Sequence, residues 1–153
     1  MKDDHLRRPS LLQQDAPCVD RGRHDAHAKH EADGALGAGH PVWGVSRSAE
    51  PNPVFLPYRW PQAGGGAPLA TAENFNFQAI DLNSQLNELL ELIDRVQPEL
   101  VVNFAAQGMV AESWLNPTQW YLTNFLSMTK LVEKIKDFKY IKKFIQFTTP
   151  EVY

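Results

Sequence analysis

Two clusters of polar residues follow apolar runs near the end of this sequence. Asn103 to Gln107 comes at the end of the run Leu100 to Phe104, and Thr148 to Glu151 follows Phe144 to Phe147. A predicted helix lies between the clusters, so the order is strand, polar cluster, helix, strand, polar cluster. In parallel α/β proteins, ligands bind at the carboxyl ends of the strands. The spacing therefore points to an enzyme that uses a nucleotide cofactor.

The elements that must position these clusters alternate along the chain. Apolar residues at helical spacing predict a helix over residues 84–97, whose first turn Asn83 or Ser84 can cap. Asn116-Pro117 predicts the start of a second helix, which runs to about Lys136. Such alternation implies right-handed crossovers and an α/β fold with a parallel sheet flanked by helices. The predicted strands are Val42–Ser46, Phe75–Ile80, Leu100–Phe104 and Phe144–Phe147.

Composition bounds the class of protein. The chain has 153 residues, enough for one domain, with 43% hydrophobic and 22% charged residues. A formal net charge of -3 gives no reason to expect nucleic acid or a membrane surface as a partner. No apolar run approaches the ~20 residues of a membrane span, and no secretory signal opens the chain. The single cysteine, Cys18, cannot form an intrachain disulfide, so the predicted location is cytoplasmic.

Residues 1–40 differ in composition from the rest. They are dense in histidine, aspartate, arginine and alanine, and have only two short apolar pairs, Leu11-Leu12 and Cys18-Val19. Such a segment buries too little apolar surface to offset the entropy of ordering, so we expect 1–40 to be disordered or non-native. Residues 41–153 then form the folded domain. Scattered solvated histidines are favoured over a metal site, and no metal is expected, although three histidines occur at short spacing: His24, His27 and His30.

A series of short sequence words occurs in order from Gly39 onward. In these words the chain resembles the extended short-chain dehydrogenase/reductase family, in particular its NAD(P)-dependent sugar-nucleotide epimerases and 4,6-dehydratases. The resemblance implies a partial NAD(P)-binding Rossmann domain, the N-terminal part of the family's fold, and a nucleotide-sugar substrate. The words are Gly39-His40, Ser46-Arg47, Asp81-Leu82, Gln97-Pro98-Glu99, Asn103-Phe104-Ala105-Ala106, Val110, Ser113, Asn116-Pro117, Thr123-Asn124 and Thr148 to Tyr153.

The resemblance also implies which residues would contact NAD or NADP. Asp81 would accept a hydrogen bond from the adenine amino group beside Leu82, although the same carboxylate can equally cap a helix. Ala105 and Ala106 are small enough to let the backbone approach the cofactor, or to pack a strand tightly against a helix. Asn124, with Ser113, is implied to support the geometry of the site.

The residues after the first predicted strand bear on which cofactor is used. Ser46 and Arg47 stand where the family meets the adenosine ribose. A guanidinium there favours a 2′-phosphate and hence NADP, whereas NAD sites usually place a carboxylate. A solvated surface arginine is the alternative interpretation.

The catalytic positions implied by the resemblance are Thr149 and Glu151. Thr149 would hydrogen-bond the reacting oxygen of the sugar, unless Thr148-Thr149 is simply β-branched strand sequence. In the 4,6-dehydratases the next two residues are Asp and Glu, the acid and base of water elimination, but here they are Pro150 and Glu151. Proline cannot donate a proton, which favours epimerase or reductase chemistry over dehydration.

Two parts of the family's machinery do not match this sequence. Family spacing puts the glycines of the phosphate loop at Gly22, Asp25 and Ala28, of which only the first fits. A second glycine cluster before Val42, at residues 34, 37 and 39, leaves no room for the helix that follows such a loop. The family's Tyr-x-x-x-Lys pair would follow Tyr153. We therefore expect a fragment without activity. A shifted reading frame or a misjudged start over the first 35 residues or so would explain the mismatch.

A non-catalytic function is the alternative. In the family, the helix after the fourth strand joins a partner helix in a dimer. The predicted helix 117–136 carries Trp120, Tyr121 and Phe125 on more than one face, which suits a homodimer contact, although one face must pack on its own sheet.

Overall fold

The computed structural model describes residues 9–14, 24–107 and 110–147. Five parallel strands form one sheet in the order β3-β2-β1-β4-β5, and helices flank it. The predicted α/β class and the four predicted strands are therefore confirmed. The strands are β1 (Ser10–Gln14), β2 (Val42–Ser46), β3 (Phe75–Ala79), β4 (Leu100–Asn103) and β5 (Lys143–Gln146). The helices are α1 (His24–Gly37), α2 (Leu86–Val96), α3 (Val110–Leu115), α4 (Pro117–Trp120) and α5 (Met128–Ile135), with a π-helical segment (Tyr121–Ser127) between the last two.

The centre of the sheet is a strand that the sequence does not predict. Disorder is expected over residues 1–40, whereas β1 pairs with β2 on one side and with β4 on the other. Leu11 is fully buried in the core beside Val45 and Val101. The local composition does not indicate this strand. Its backbone hydrogen bonds, and the packing of Leu11, its one described core side chain, come from residues far along the chain.

Helix α1 also lies in the segment expected to be disordered. It buries Ala32 and Leu36 against β2 and the loop that follows it. Gly39 ends the helix with a left-handed backbone (φ 78°). Its N–H donates to Leu36 O (2.8 Å), and the N–H of His40 donates to Ala35 O (2.9 Å). This is a Schellman termination, so the glycine cluster contributes to a helix and its stop.

Two hydrophobic clusters cover the two faces of the sheet. One holds α2 and α5 and includes Leu89, Ile93 and Leu131. The other holds α1 and the long loop between β2 and β3 and includes Leu56 and Phe75. The chain thus crosses from one face to the other between its first and second halves, as doubly wound sheets do.

The long loop is fixed by an ion pair stacked on aromatic rings. Arg59 donates to both carboxylate oxygens of Glu50 (3.1 and 3.2 Å), and its guanidinium lies 4.8 Å from the centre of the Phe75 ring. The Tyr58 hydroxyl donates to the same carboxylate, and burial, assisted by the Glu50 charge, raises the pKa of that phenol. The loop is therefore held near the start of β3.

Helix α2 begins later than predicted, at Leu86. Neither Asn83 nor Ser84 caps it with its own side chain. Instead, the carboxylate of Asp81 accepts hydrogen bonds from Asn83 N–H (2.9 Å) and from the Ser84 hydroxyl (3.2 Å). Hydrogen bonds to the Asp81 carboxylate thus hold the turn before the helix.

The position of β1 yields a test. We expect Leu11→Ala to lower the free energy of unfolding by about 2–5 kcal/mol, the usual cost of truncating a buried leucine. Urea denaturation followed by circular dichroism measures it. Val54→Ala, at an exposed loop position, is the control and should change stability by less than about 0.5 kcal/mol. An equally small effect of Leu11→Ala would mean that β1 does not pair in solution.

Candidate functional site

The carboxyl ends of all five strands meet at one edge of the sheet. Ser46 lies beside Gln14 and Ala79 in the strand register, and Asn103 lies beside Gln146. The residues that follow these strands therefore approach one another along this edge, which we call the carboxyl edge. The strand order reverses between β1 and β4, the point at which doubly wound folds open a crevice for ligands.

Asn103 organises the middle of the carboxyl edge. Its side chain is fully buried, donates from Nδ2 to Gln146 Oε1 (2.7 Å), and accepts at Oδ1 from the N–H of Ala105 (3.0 Å). Its carbonyl accepts from the N–H of Phe147 (3.0 Å). One asparagine therefore fixes both the turn after β4 and the end of β5. The sequence places Asn103 in a family motif but gives no signal for Gln146, which is seen only when β4 and β5 pair.

The two alanines after Asn103 occupy different environments. Ala105 is buried in the same core cluster as Leu131, as expected for tight packing of a strand against a helix. Ala106 is half-buried at the edge. Phe104 and Phe147 stack with ring centres 4.3 Å apart and wall the segment on the β5 side. Ala105 and Ala106 themselves add only a methyl group each to this segment, so their proposed close approach to a cofactor stays a prediction.

Asp81 and Leu82 follow β3. Both oxygens of Asp81 already accept hydrogen bonds within its own turn, and its N–H donates to Gln85 Oε1 (2.9 Å). Leu82 is buried in the core with Leu89. The turn-forming role of Asp81 is thus observed, and the adenine-binding role of both residues stays a prediction.

Arg47 is the first residue after β2. Its Nη2 atom is buried and makes no hydrogen bond to any residue of the described ranges. A buried guanidinium nitrogen without an acceptor carries a desolvation cost that an anionic ligand would remove. The hydroxyl of Ser46 beside it accepts a long bond from the N–H of Ser48 (3.4 Å). The end of β2 is therefore suited to an anion such as a phosphate.

Helix residues reach back to the carboxyl edge through amide side chains. Asn124 accepts the N–H of Gln107 (2.6 Å) and donates to its carbonyl (2.9 Å). On the opposite side, Asn83 donates to Thr123 Oγ1 (2.9 Å) and accepts from the Ser127 hydroxyl (2.7 Å). The sequence suggests Asn83 only as a helix cap. Asparagine suits caps and bridges equally, so the residue type alone does not reveal the bridge.

Several predicted positions lie outside the described residues. These include the catalytic candidates Thr149 and Glu151 and the connection from β1 to α1, residues 15–23. The sequence of that connection contains one glycine, Gly22. Asp25 and Ala28, which family spacing assigns to the phosphate loop, have helical backbone in α1. The phosphate loop that family spacing assigns to Gly22, Asp25 and Ala28 therefore stays a prediction.

An apolar groove runs along the outer side of the helices that follow β4. Its volume is about 490 Å³, and Trp114 at its border is 82% exposed. Asn124 also lines it, so the groove adjoins the segment that holds Gln107. The lining residues are Ser113, Trp114, Pro117, Trp120, Tyr121, Asn124 and Phe125.

Two classes of feature are absent within the described part of the chain. No group of three His, Cys, Asp or Glu residues is arranged to hold a metal ion there. Nor does any helix in those ranges have the length and apolar character to cross a membrane.

Comparisons with known proteins cover most of this sequence. A family model described as GDP-mannose 4,6 dehydratase matches residues 36–153, so the match begins at the end of α1 and excludes β1. None of the curated proteins matches the chain.

Solved epimerases share the fold. The UDP-Glc/GlcNAc 4-epimerase of Campylobacter jejuni is 22% identical with a TM-score of 0.66, over 91% of this chain and 36% of that one. The UDP-glucose 4-epimerase of Stenotrophomonas maltophila, solved with NAD and formylated UDP-arabinopyranose, is 21% identical with a TM-score of 0.64, over 94% and 38%. The enzyme of Thermotoga maritima, solved with UDP-glucose, is 21% identical with a TM-score of 0.61, over 92% and 38%. The chain thus spans well under half the length of these proteins.

Proposed function

This chain belongs to the GDP-mannose 4,6-dehydratase family of extended short-chain dehydrogenases/reductases, and we propose that it provides the NAD(P)-binding portion of a nucleotide-sugar epimerase or dehydratase. The observation that carries the proposal is the carboxyl edge. It brings the residues after β2, β3 and β4 together across the reversal point of a β3-β2-β1-β4-β5 sheet.

The residues of the edge fit the adenosine half of a dinucleotide best. Arg47 offers a buried guanidinium nitrogen that lacks a partner within the described chain, at the end of the strand beside β1. A 2′-phosphate would satisfy it, so NADP is favoured over NAD, although NAD is the cofactor solved with the Stenotrophomonas epimerase. Asp81 and Leu82 are proposed for the adenine side, and Ala105 and Ala106 for close backbone approach.

The pyrophosphate side fits less well. The family's phosphate loop presents backbone amides through glycines, and residues 15–23 contain only one. Since the family model begins at residue 36, we keep the proposal that the first 35 residues are not the family's native segment. The family match then covers β2 to β5, whereas the central strand β1 of the same sheet comes from residues 10–14, outside the match.

The chemistry proposed for the sugar rests on the segment after β5. When bound, NAD or NADP supplies hydride transfer to and from a sugar carbon. Thr149 is proposed to hydrogen-bond the reacting oxygen and Glu151 to move a proton. Pro150 stands where the dehydratases have their acid, which favours epimerase or reductase chemistry.

We propose that the isolated chain has no turnover of its own. The 153 residues contain no Tyr-x-x-x-Lys pair, the group that would move the proton during hydride transfer. Cytoplasmic location is proposed from the single cysteine.

A second candidate function is dimerisation through the helices after β4. Tyr121 is 73% and Phe125 65% exposed, and both line the apolar groove. Large aromatic side chains on one exposed face are typical of protein interfaces. We propose that a second copy of the chain covers this face, with or without bound cofactor.

The cofactor proposal predicts a selective effect of Arg47. Arg47→Ala should weaken NADPH binding about 10- to 100-fold, because a charge-assisted bond to phosphate is worth roughly 1.5–3 kcal/mol. NADH binding should change less than about twofold, since NADH lacks that phosphate. Titration calorimetry of the 1–153 chain measures both, and Arg95→Ala on the exposed side of α2 is the control. Equal losses for the two cofactors would contradict the assignment.

The proposed lack of turnover is tested directly. Purified chain is incubated with UDP-glucose or GDP-mannose in the presence of NAD or NADP, and the sugars are separated by chromatography. We expect no conversion above a protein-free blank. Reproducible formation of an epimer or a 4-keto sugar would overturn the proposal.

The dimer proposal predicts the mass of the protein in solution. Light scattering should give twice the 17.3 kDa of one chain, and Phe125→Glu should raise the dimer dissociation constant at least about tenfold by placing a charge in an apolar contact. Phe55→Glu is the matched control, since Phe55 is 66% exposed in the loop after β2. A monomeric wild type, or equal effects of the two substitutions, would rule out this interface.

A further inference from the structure

We propose that Asn83 is a positioning residue that holds the carboxyl edge in place through the π-helical segment. The relay runs from Asn83 to that segment, from the segment to Asn124, and from Asn124 to the backbone of Gln107. The proposal rests on the proposed function in one respect, that the carboxyl edge is the cofactor site.

The first step of the relay is a pair of buried hydrogen bonds. The Asn83 side chain donates to Thr123 Oγ1 and accepts from the Ser127 hydroxyl. Those two hydroxyl-bearing residues are 1% and 3% exposed, so water does not replace a lost partner easily. Each buried polar group left unsatisfied costs about 1–3 kcal/mol. Asn83 is therefore a strong constraint on the face of the helix that points inward.

The second step is the register of the helix. Thr123 and Ser127 lie within Tyr121–Ser127, the seven residues that adopt π geometry between α4 and α5. A π-helix is less stable than an α-helix and persists where other interactions support it, often at functional sites. One side chain, Asn83, bonds two residues four positions apart in this segment. It therefore fixes how far the segment is rotated about its axis.

The third step is the presentation of Asn124. This residue follows Thr123 directly, and its amide matches the N–H and the carbonyl of Gln107 with two hydrogen bonds. Rotation of the π segment by one residue would move the amide away from both groups. The position of Gln107 at the end of the segment after β4 thus depends on a residue in the turn after β3.

Asn83 is also hydrogen-bonded within its own turn, at the β3 end of the carboxyl edge. Its backbone N–H donates to the carboxylate of Asp81 (2.9 Å), the residue proposed for the adenine side. A single residue therefore connects the turn after β3 with the loop after β4, although no strand pairing joins β3 to β4. This connection is what distinguishes Asn83 from a bond that only anchors a helix.

Residue-level amide exchange of the 1–153 chain, followed by NMR, tests the relay. We expect Asn83→Ala to raise the exchange rate of the Gln107 amide about 5- to 10-fold, the factor that corresponds to roughly 1 kcal/mol. Amides in the core of α2, such as that of Ile93, should change much less. Thr123→Val should act in the same way, and Thr123→Ser should restore the wild-type rate because it keeps the hydroxyl. Asn87→Ala, at an exposed position of α2, is the control.

A double-mutant cycle separates positioning from general stabilisation. Asn124→Ala removes the direct partner of Gln107, so Asn83→Ala added to it should raise the Gln107 exchange rate less than twofold further. Full additivity, or an equal rise of all core amides in the single variant, would overturn the proposal. If Asn83→Ala does not fold, the Thr123→Val and Thr123→Ser pair decides the question.

NADPH titration of the same variants keeps the two proposals distinguishable. If the wild type binds NADPH, Asn83→Ala should weaken binding about 5-fold or more, while Asn87→Ala leaves it unchanged. Equal binding by all variants would show that the relay does not affect the cofactor site. If the wild type does not bind, the proposed function fails, and the exchange measurements alone accept or reject the role of Asn83.

Discussion

Strand β1 is the one element to which both halves of the sheet are hydrogen-bonded. β2 pairs with one of its edges and β4 with the other, so β2 and β4 are related only through it. The positions of Arg47 after β2 and of Asn103 at the end of β4 therefore depend on five residues, Ser10–Gln14. A central parallel strand must be buried on both faces, and Leu11 supplies one of those faces. Without this pairing the residues of the carboxyl edge would belong to two separate sheets with exposed edges.

Side-chain amides do at the carboxyl edge what strand pairing does within the sheet. Where the strands end, backbone N–H and carbonyl groups lose their ladder partners and need others. Asn103 supplies one to the N–H of Ala105, and Asn124 supplies two to Gln107. Asn83 then ties the helix that carries Asn124 to the turn after β3. Asparagine is suited to this role because one short side chain carries both a donor and an acceptor. The loops are thereby fixed while their backbone stays close to the surface.

Sequence patterns predict those parts of the fold that local composition determines. The strands at Val42–Ser46 and Leu100–Asn103 are short apolar runs, and α2 has a clear apolar face, so each is visible without its neighbours. β1 is not, because its stabilisation comes from partners 32 and 90 residues away in the strand register. The same limit applies to the site. Asparagine at position 83 is typical of a helix cap. Only the packing of Tyr121–Ser127 against it shows that its side chain joins two elements. The π geometry of that segment has no sequence signature, since its apolar spacing also suits an α-helix.

The mismatch between sequence and topology falls on one half of the proposed cofactor site. Topology gives the chain a central strand and a first helix, yet the family model starts only at residue 36, and the connection between that strand and helix has a single glycine. Backbone amides of a glycine loop bind the pyrophosphate that NAD and NADP share. A loop with few glycines would therefore weaken the binding of both cofactors to the same extent. In the proposed assignment, Arg47 would act on a group that only NADP carries, and its effect would not depend on the loop. Under the proposed function, discrimination between the cofactors would rest on the end of β2, inside the family match, whereas overall affinity would rest on the connection after β1, outside it.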